Sequence, residues 1–250
     1  ASLGMELIAC AGDSQGMLPE SLDTAAREHG AAAVYLMPTV HNPLGTVMPE
    51  NRRRKLCEIA ERHDLLIIDD DAYRFTEANP PPSFAALAPT RSFSIWSFTK
   101  PYAPVLKLSY LSFPQPYQKQ LIDAIRITST GASALFAALG SGMIRSGALP
   151  KLIAAKRLDA ARRQALAGEI LGKFAIQRHP TSYHIWIHLP ADRSAATLAA
   201  DLLAQGVRTS PCEDFATTPH VKANGLRVAL GATSETDLRR GLEIVRSQLI

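Results

Sequence analysis

Ser92-Phe93-Ser94-Ile95-Trp96-Ser97-Phe98-Thr99-Lys100, with Ala103, Pro104 and Lys107 just after it, is the stretch on which the fold turns. The apolar run reads as a buried strand that ends in a lysine. A lysine directly after such a strand stands on a rigid support, in a place where burial can lower its pKa. A partly unprotonated amine can form a Schiff base with an aldehyde. Taken by itself, the lysine is more often a solvated loop residue, so the segments around it decide.

Upstream, residues 5–10 read as a short strand and residues 18–29 as a helix with Pro19 in its first turn. Residues 31–37 form a compact apolar run, a second buried strand that Pro38 ends. Thr39 to Gly45 is rich in turn residues. A helix opens at Pro49-Glu50 and carries Leu56, Ile59 and Ala60 on one face. Residues 65–68 make a third strand, which ends in Asp69-Asp70-Asp71-Ala72-Tyr73. Downstream of Lys100, residues 106–113 read as a fifth strand and residues 117–172 as helical, with Pro150 opening a second long helix.

Strands alternating with helices at this spacing predict an α/β layer with a mostly parallel sheet. Strands at 174–178, 182–189, 207–211 and 226–230, with helices at 195–205 and 235–249, predict a small α+β domain behind it. The expected division is 1–149 for the large domain, 150–172 for a linking helix and 173–250 for the small domain. In parallel sheets of this kind ligands bind beyond the carboxyl ends of the strands. Three such ends carry polar groups: Asn42, then Asp70 and Tyr73, then Ser97 and Lys100.

The 250 residues are 46% hydrophobic and 20% charged, with a formal charge of +4, a composition of ordinary globular domains. No apolar run approaches the roughly 20 residues of a membrane span. The N-terminal residues carry no basic-then-apolar leader. Three widely spaced cysteines, Cys10, Cys57 and Cys212, fit structural thiols in a reducing cytoplasm. The basic cluster Arg52-Arg53-Arg54-Lys55 reads as a solvated helix face, not a nucleic-acid patch. His184 and His188 share a strand face, but no third metal ligand is apparent. Ser97-x-x-Lys100 also matches the first element of serine β-lactamases, whose later Lys-Thr-Gly and Ser-Asp-Asn elements are absent.

The order Asn-Pro-x-Gly, Asp-x-x-Tyr, Ser-x-x-Lys and a basic residue seven positions on resembles the fold-type I, pyridoxal-phosphate-dependent aminotransferases of the class I/II group. The resemblance covers essentially the whole chain, including the strand that holds Arg227. The words at residues 38–50, 82–89, 182–190 and 227–232 resemble most closely the aminotransferase-like domain of MocR-type regulators of the GntR superfamily. By that resemblance Lys100 carries the internal aldimine. Asn42 and Tyr73 hydrogen-bond the cofactor's phenolic oxygen, and Asp70 pairs with its ring nitrogen. Ser97 and Lys107 hold the phosphate, and Arg227 holds the substrate α-carboxylate. Position 107 is Lys where the family usually has Arg, a point charge in place of a planar fork. Positions 105 and 109 are Val and Ser where Gly is common.

The resemblance also implies that the chain is N-terminally truncated, lacking the Gly-rich phosphate loop, the aromatic that stacks on the cofactor and any DNA-binding domain. The expected ligand is an amino acid or amine. The parent is expected to be a homodimer that contacts DNA only through the missing part, with no membrane partner. The alternative parent is a genuine aminotransferase acting on an amino acid and a 2-oxo acid.

Overall fold

The computed structural model describes residues 4–103, 105–217, 224–231 and 233–250. They fall into two compact units. One holds Cys10–His41 and Thr46–Lys156, the other Ala1–Ala9, Asn42–Gly45 and Arg157–Ile250.

The first, the parallel-sheet unit, opens with a minimal hairpin of β1 (Gly12–Asp13) and β2 (Gly16–Met17), followed by α1 (Pro19–His29) and β3 (Ala33–Leu36). Then come α2 (Glu50–Arg62), β4 (Leu66–Asp70), α3 (Phe84–Leu87), β5 (Ser92–Ser97) and β6 (Ser109–Ser112). Helices α4 (Gln118–Ser129) and α5 (Ala134–Arg145) and the first turns of α6 (Ala148–Leu171) complete it. The sheet order is β3-β4-β5-β6. The first three strands are parallel, as a helix in each crossover requires, with Tyr35 beside Ile68, Ile68 beside Phe93 and Asp70 beside Ile95.

Strand β6 runs antiparallel to β5. Its connection is a loop that folds straight back: Phe98 N–H bonds Leu108 O at 2.9 Å and Thr99 Oγ1 donates to Leu106 O at 2.9 Å. Those two bonds hold residues 106–108 in the loop, so the strand expected from 106 starts at Ser109. The strand expected at residues 5–10 is absent, because that segment pairs with no neighbour and leaves Met5 60% and Leu7 53% exposed.

One face of the sheet is closed. Val34, Leu36 and Ile67 are buried against Leu22 and Ala26 of α1, Leu56, Ile59 and Ala60 of α2, and Phe84 of α3. Each large side chain buried this way contributes about 1.5–3 kcal/mol. The expectation of a solvated basic face on α2 fails at Arg53, which is fully buried. Its Nε donates to Met48 O, its Nη1 to Pro82 O, and its Nη2 to Pro38 O and Thr39 Oγ1, at 2.9–3.1 Å. Position 53 lies on the same helix stripe as Leu56 and Ala60, so the guanidinium faces inward and ties three loop segments to the helix.

The antiparallel-sheet unit contains β7 (Ile176–Arg178), β8 (His184–His188), β9 (Ser210–Pro211) and β10 (Gly225–Ala229), in the order β7-β8-β10-β9. Helices α7 (Ala195–Ala204), α8 (Glu235–Leu249) and the remainder of α6 supply its apolar cover. Ser194 and Ser234 cap α7 and α8, accepting from Thr197 N–H and Asp237 N–H. Period-2 alternation sends Ile185, Ile187, Leu226 and Val228 into the core. Trp186 and Arg227, which pair across β8 and β10, share the other face. Among the described residues no helix is long and apolar enough to cross a membrane.

Candidate functional site

Strand β4 ends in three consecutive aspartates, and the pleat gives adjacent ones opposite faces. Asp69 joins Ile67 on the closed face and is fully buried. Its Oδ2 accepts from Phe84 N–H at 3.0 Å and from Ser94 Oγ–H at 2.8 Å, which ties the start of α3 to β5. Burial first, and then the charge of Asp71, push its carboxyl up to about 6. Asp69 is therefore a structural carboxylate.

Asp70 points to the other face, together with Tyr35, Ile95 and Ser97 by the strand registers. Its Oδ2 accepts from Tyr35 Oη–H at 2.7 Å and its Oδ1 from Ala72 N–H at 3.1 Å. Tyr73 follows in the turn after β4 and is buried to 9% exposure. Lys100 follows β5 in the neighbouring turn, and its Nζ stands 5.4 Å from the centroid of the Tyr73 ring, within cation–π range. Burial does not hold this lysine, contrary to the sequence expectation. The turn after β5 buries Phe98 completely and leaves Lys100 exposed, because Tyr102 N–H bonds Phe98 O at 3.0 Å and anchors the turn on its apolar member.

Ser97, the last residue of β5, is buried, and its Oγ accepts from Thr99 N–H at 3.1 Å. Lys107 lies exposed on the returning loop. Pro104 of that loop and Ala232 of the word after Arg227 lie outside the described residues. Asp70, Tyr73, Ser97, Lys100 and Lys107 thus all sit at the carboxyl ends of β4 and β5 in one unit.

Asn42 and Arg227 belong to the antiparallel-sheet unit. Asn42 lies in a tight turn with Leu44 packed on that unit's core. Gly45 has φ 70°, a conformation that favours glycine, while a Cβ there would only reach ordinary contact with His179 at 3.4 Å. The backbone before the turn is strained: Val40, fully buried and β-branched, holds φ 56°, a conformation that costs on the order of 1–3 kcal/mol. Burial holds the adjacent His41 ring down to about 4, hence neutral at physiological pH. Asn42 Oδ1 and Arg227 Nε are both buried and have no hydrogen-bond partner among the described residues. Buried polar groups are normally paired, so the uncompensated Arg227 donor fits a carboxylate or phosphate oxygen, whereas Asn42 Oδ1 needs an N–H or O–H donor and only the Asn42 amide nitrogen could serve an anionic oxygen.

Three structural residues escaped the sequence reading: Tyr35, Arg53 and Asp69. The alternation Ala33-Val34-Tyr35-Leu36 is the available signal for Tyr35, since it sets the tyrosine opposite the core positions.

The family model for class I and II aminotransferases matches residues 4–245. A protein named uncharacterized HTH-type transcriptional regulator YdeF, from Bacillus subtilis (strain 168), is 28% identical over 248 residues, covering 99% of this chain and 54% of that protein. The HTH-type pyridoxine biosynthesis transcriptional regulator PdxR of Corynebacterium glutamicum is 25% identical over 241 residues, covering 95% of this chain and 52% of its own length. The chain therefore spans about half the length of these curated relatives. Among solved structures, an archaeal alanine:glyoxylate aminotransferase superposes with a TM-score of 0.89 at 21% identity, over 99% of this chain and 64% of that one. At that identity the likeness shows the fold alone. With a family model spanning nearly its whole length and the fold-type I architecture beneath it, the chain belongs to the class I and II aminotransferase family.

Proposed function

We propose that this chain is a pyridoxal-phosphate-binding, aminotransferase-like domain that serves as the ligand-sensing part of a MocR/GntR-type transcriptional regulator. The observation that carries the reading is the grouping at the ends of β4 and β5: Lys100 Nζ over the Tyr73 ring, with Asp70 held by two donors nearby in the same unit. The likeness to HTH-type regulators over almost all of the chain supports a sensing role.

When bound, the cofactor supplies an electron sink for the carbon bearing the substrate's amine. The residues of the chain do the rest. Lys100 would offer the amine that holds the cofactor's aldehyde, and the same amine would be the base available to carry a proton. Asp70 would place a negative charge beside the ring nitrogen and keep it protonated. Tyr73 and Asn42 would serve the phenolic oxygen, and the Ser97 hydroxyl and Lys107 ammonium would take the phosphate. Arg227 would take the carboxylate of an amino acid in a bidentate fork. We assign the assembly a cytoplasmic, homodimeric setting, with DNA contact made by a helix-turn-helix part and not by these residues.

The test is a titration of the whole protein with pyridoxal phosphate. A visible band should grow in, borohydride should fix the cofactor to the peptide carrying Lys100, and Lys100→Ala should abolish both. A band that persists in Lys100→Ala sinks the assignment. The same residues suit an aminotransferase proper, and a panel of amino acids separates the two readings. A sensor changes its band and releases no oxo acid, whereas an enzyme releases one.

A further inference from the structure

Tyr35 is 55% exposed on an edge strand. Among the described residues its hydroxyl makes one hydrogen bond, 2.7 Å to Asp70 Oδ2. The register explains the reach. Tyr35 sits beside Ile68, and Asp70 lies two residues further along the same face of β4, so a phenol can span the row. The other carboxylate oxygen accepts from Ala72 N–H. With a donor on each oxygen, rotation of the carboxylate about its Cβ–Cγ bond is blocked. Asp69, one residue earlier, shows the contrast, because its donors are the N-terminus of α3 and a serine of β5 and it stays in the core. The Asp70 clamp lies on the other face of the sheet, across the β3–β4 pair.

We propose that Tyr35 is a positioning residue that orients Asp70, leaving the remaining carboxylate lone pairs for the cofactor's ring nitrogen. The proposal rests on the cofactor reading above. A charge-assisted hydrogen bond of this kind both fixes geometry and withdraws electron density from the carboxylate, as supporting partners do around metal ligands. The phenol in turn is held above its ordinary ionisation range, by burial first and then by its bond to Asp70.

Two measurements on the whole protein test this. First, Tyr35→Phe should weaken pyridoxal phosphate binding about threefold to tenfold and move the pH midpoint of the visible band by about half a unit, with the unfolding midpoint unchanged. Second, an alkaline difference spectrum, wild type minus Tyr35→Phe, should place this phenol above the ordinary tyrosine range, and Asp70→Asn should bring it down. The second measurement needs no cofactor. An unchanged affinity and band midpoint in Tyr35→Phe overturn the positioning role while the cofactor reading stands. A phenol indifferent to Asp70→Asn overturns the hydrogen bond itself. A wild-type protein with no band at all overturns the cofactor reading, and the positioning role with it.

Discussion

Lys100 and Tyr73, which follow neighbouring parallel strands, meet with the ammonium 5.4 Å from the ring centroid. The ring is buried and the lysine exposed, so the aromatic is the fixed partner and the amine the guided one. Tyr73→Phe keeps the ring and removes only the hydroxyl. Its expected outcome is borohydride-stable labelling of Lys100 at a rate close to wild type, with cofactor affinity lowered about threefold to tenfold. Tyr73→Ala removes the support as well and should slow the labelling further. Equal labelling in the two variants would show that the ring does not place the lysine.

Arg53 donates to four acceptors, Pro38 O, Met48 O and Thr39 Oγ1 in the interior and Pro82 O at its partly buried edge. Arg53→Met fills much of the volume but takes the donor from Met48 O, Pro82 O and Thr39 Oγ1, while Pro38 O keeps Met48 N–H, and we expect a loss of about 3–5 kcal/mol in denaturant unfolding. Arg53→Lys should recover little, since one ammonium cannot reproduce the planar fork. Its neighbour Arg54 makes an exposed pair with Glu50 one helical turn away, and Arg54→Ala should cost less than about 1 kcal/mol. A similar loss at both positions would refute the internal staple.

These two residues show where the sequence is legible and where it stops. Local pattern is enough for most of the fold. Pro19 starts α1, the alternation of 184–188 and 225–229 gives β8 and β10, and the serines at 194 and 234 announce their helices. The order of Asn42, Asp70, Tyr73, Ser97 and Lys100 is likewise readable, because each follows an element whose end is marked by composition. Arg53 is not, because a charged residue in a basic run looks solvated until the loops that need its donors are in place. The strand expected at 5–10 fails for the same kind of reason, since apolar alternation makes a strand only where a neighbour offers a ladder. Of three adjacent aspartates, the pleat alone decides that Asp69 serves the core and Asp70 the open face, and the phase of the pleat is set by tertiary burial of Ile67.

Asp69 makes a pH prediction with a definite sign. Its carboxyl titrates near 6 in the folded chain and near 3.9 in the unfolded one. Between those values the folded state binds more protons, so stability falls as pH rises. The contribution is fully present below about pH 4 and lost by about pH 6. Asn at this position keeps an acceptor for Phe84 N–H and Ser94 without the charge. The stability of Asp69→Asn relative to wild type should therefore increase from pH 4 to pH 7, by on the order of 2–3 kcal/mol. Parallel curves of unfolding free energy against pH would contradict the assignment.

Gly225 and Trp186 set the last prediction. A Cβ on Gly225 would fall 2.4 Å from the Trp186 indole, and the indole, itself 2% exposed and edge-on to Phe215, has nowhere to move. Gly225→Ala must displace β10, at a cost of about 1–3 kcal/mol. The strand carries Arg227 two residues later on the same face, directly across from Trp186. The displacement should therefore reach the guanidinium, and carboxylate ligands should lose affinity in Gly225→Ala more than carboxylate-free amines do. Trp186→Phe vacates part of the space, so the double variant should be less destabilised than the sum of the single ones. Strict additivity, or an equal loss for both classes of ligand, would separate the glycine from the placement of Arg227.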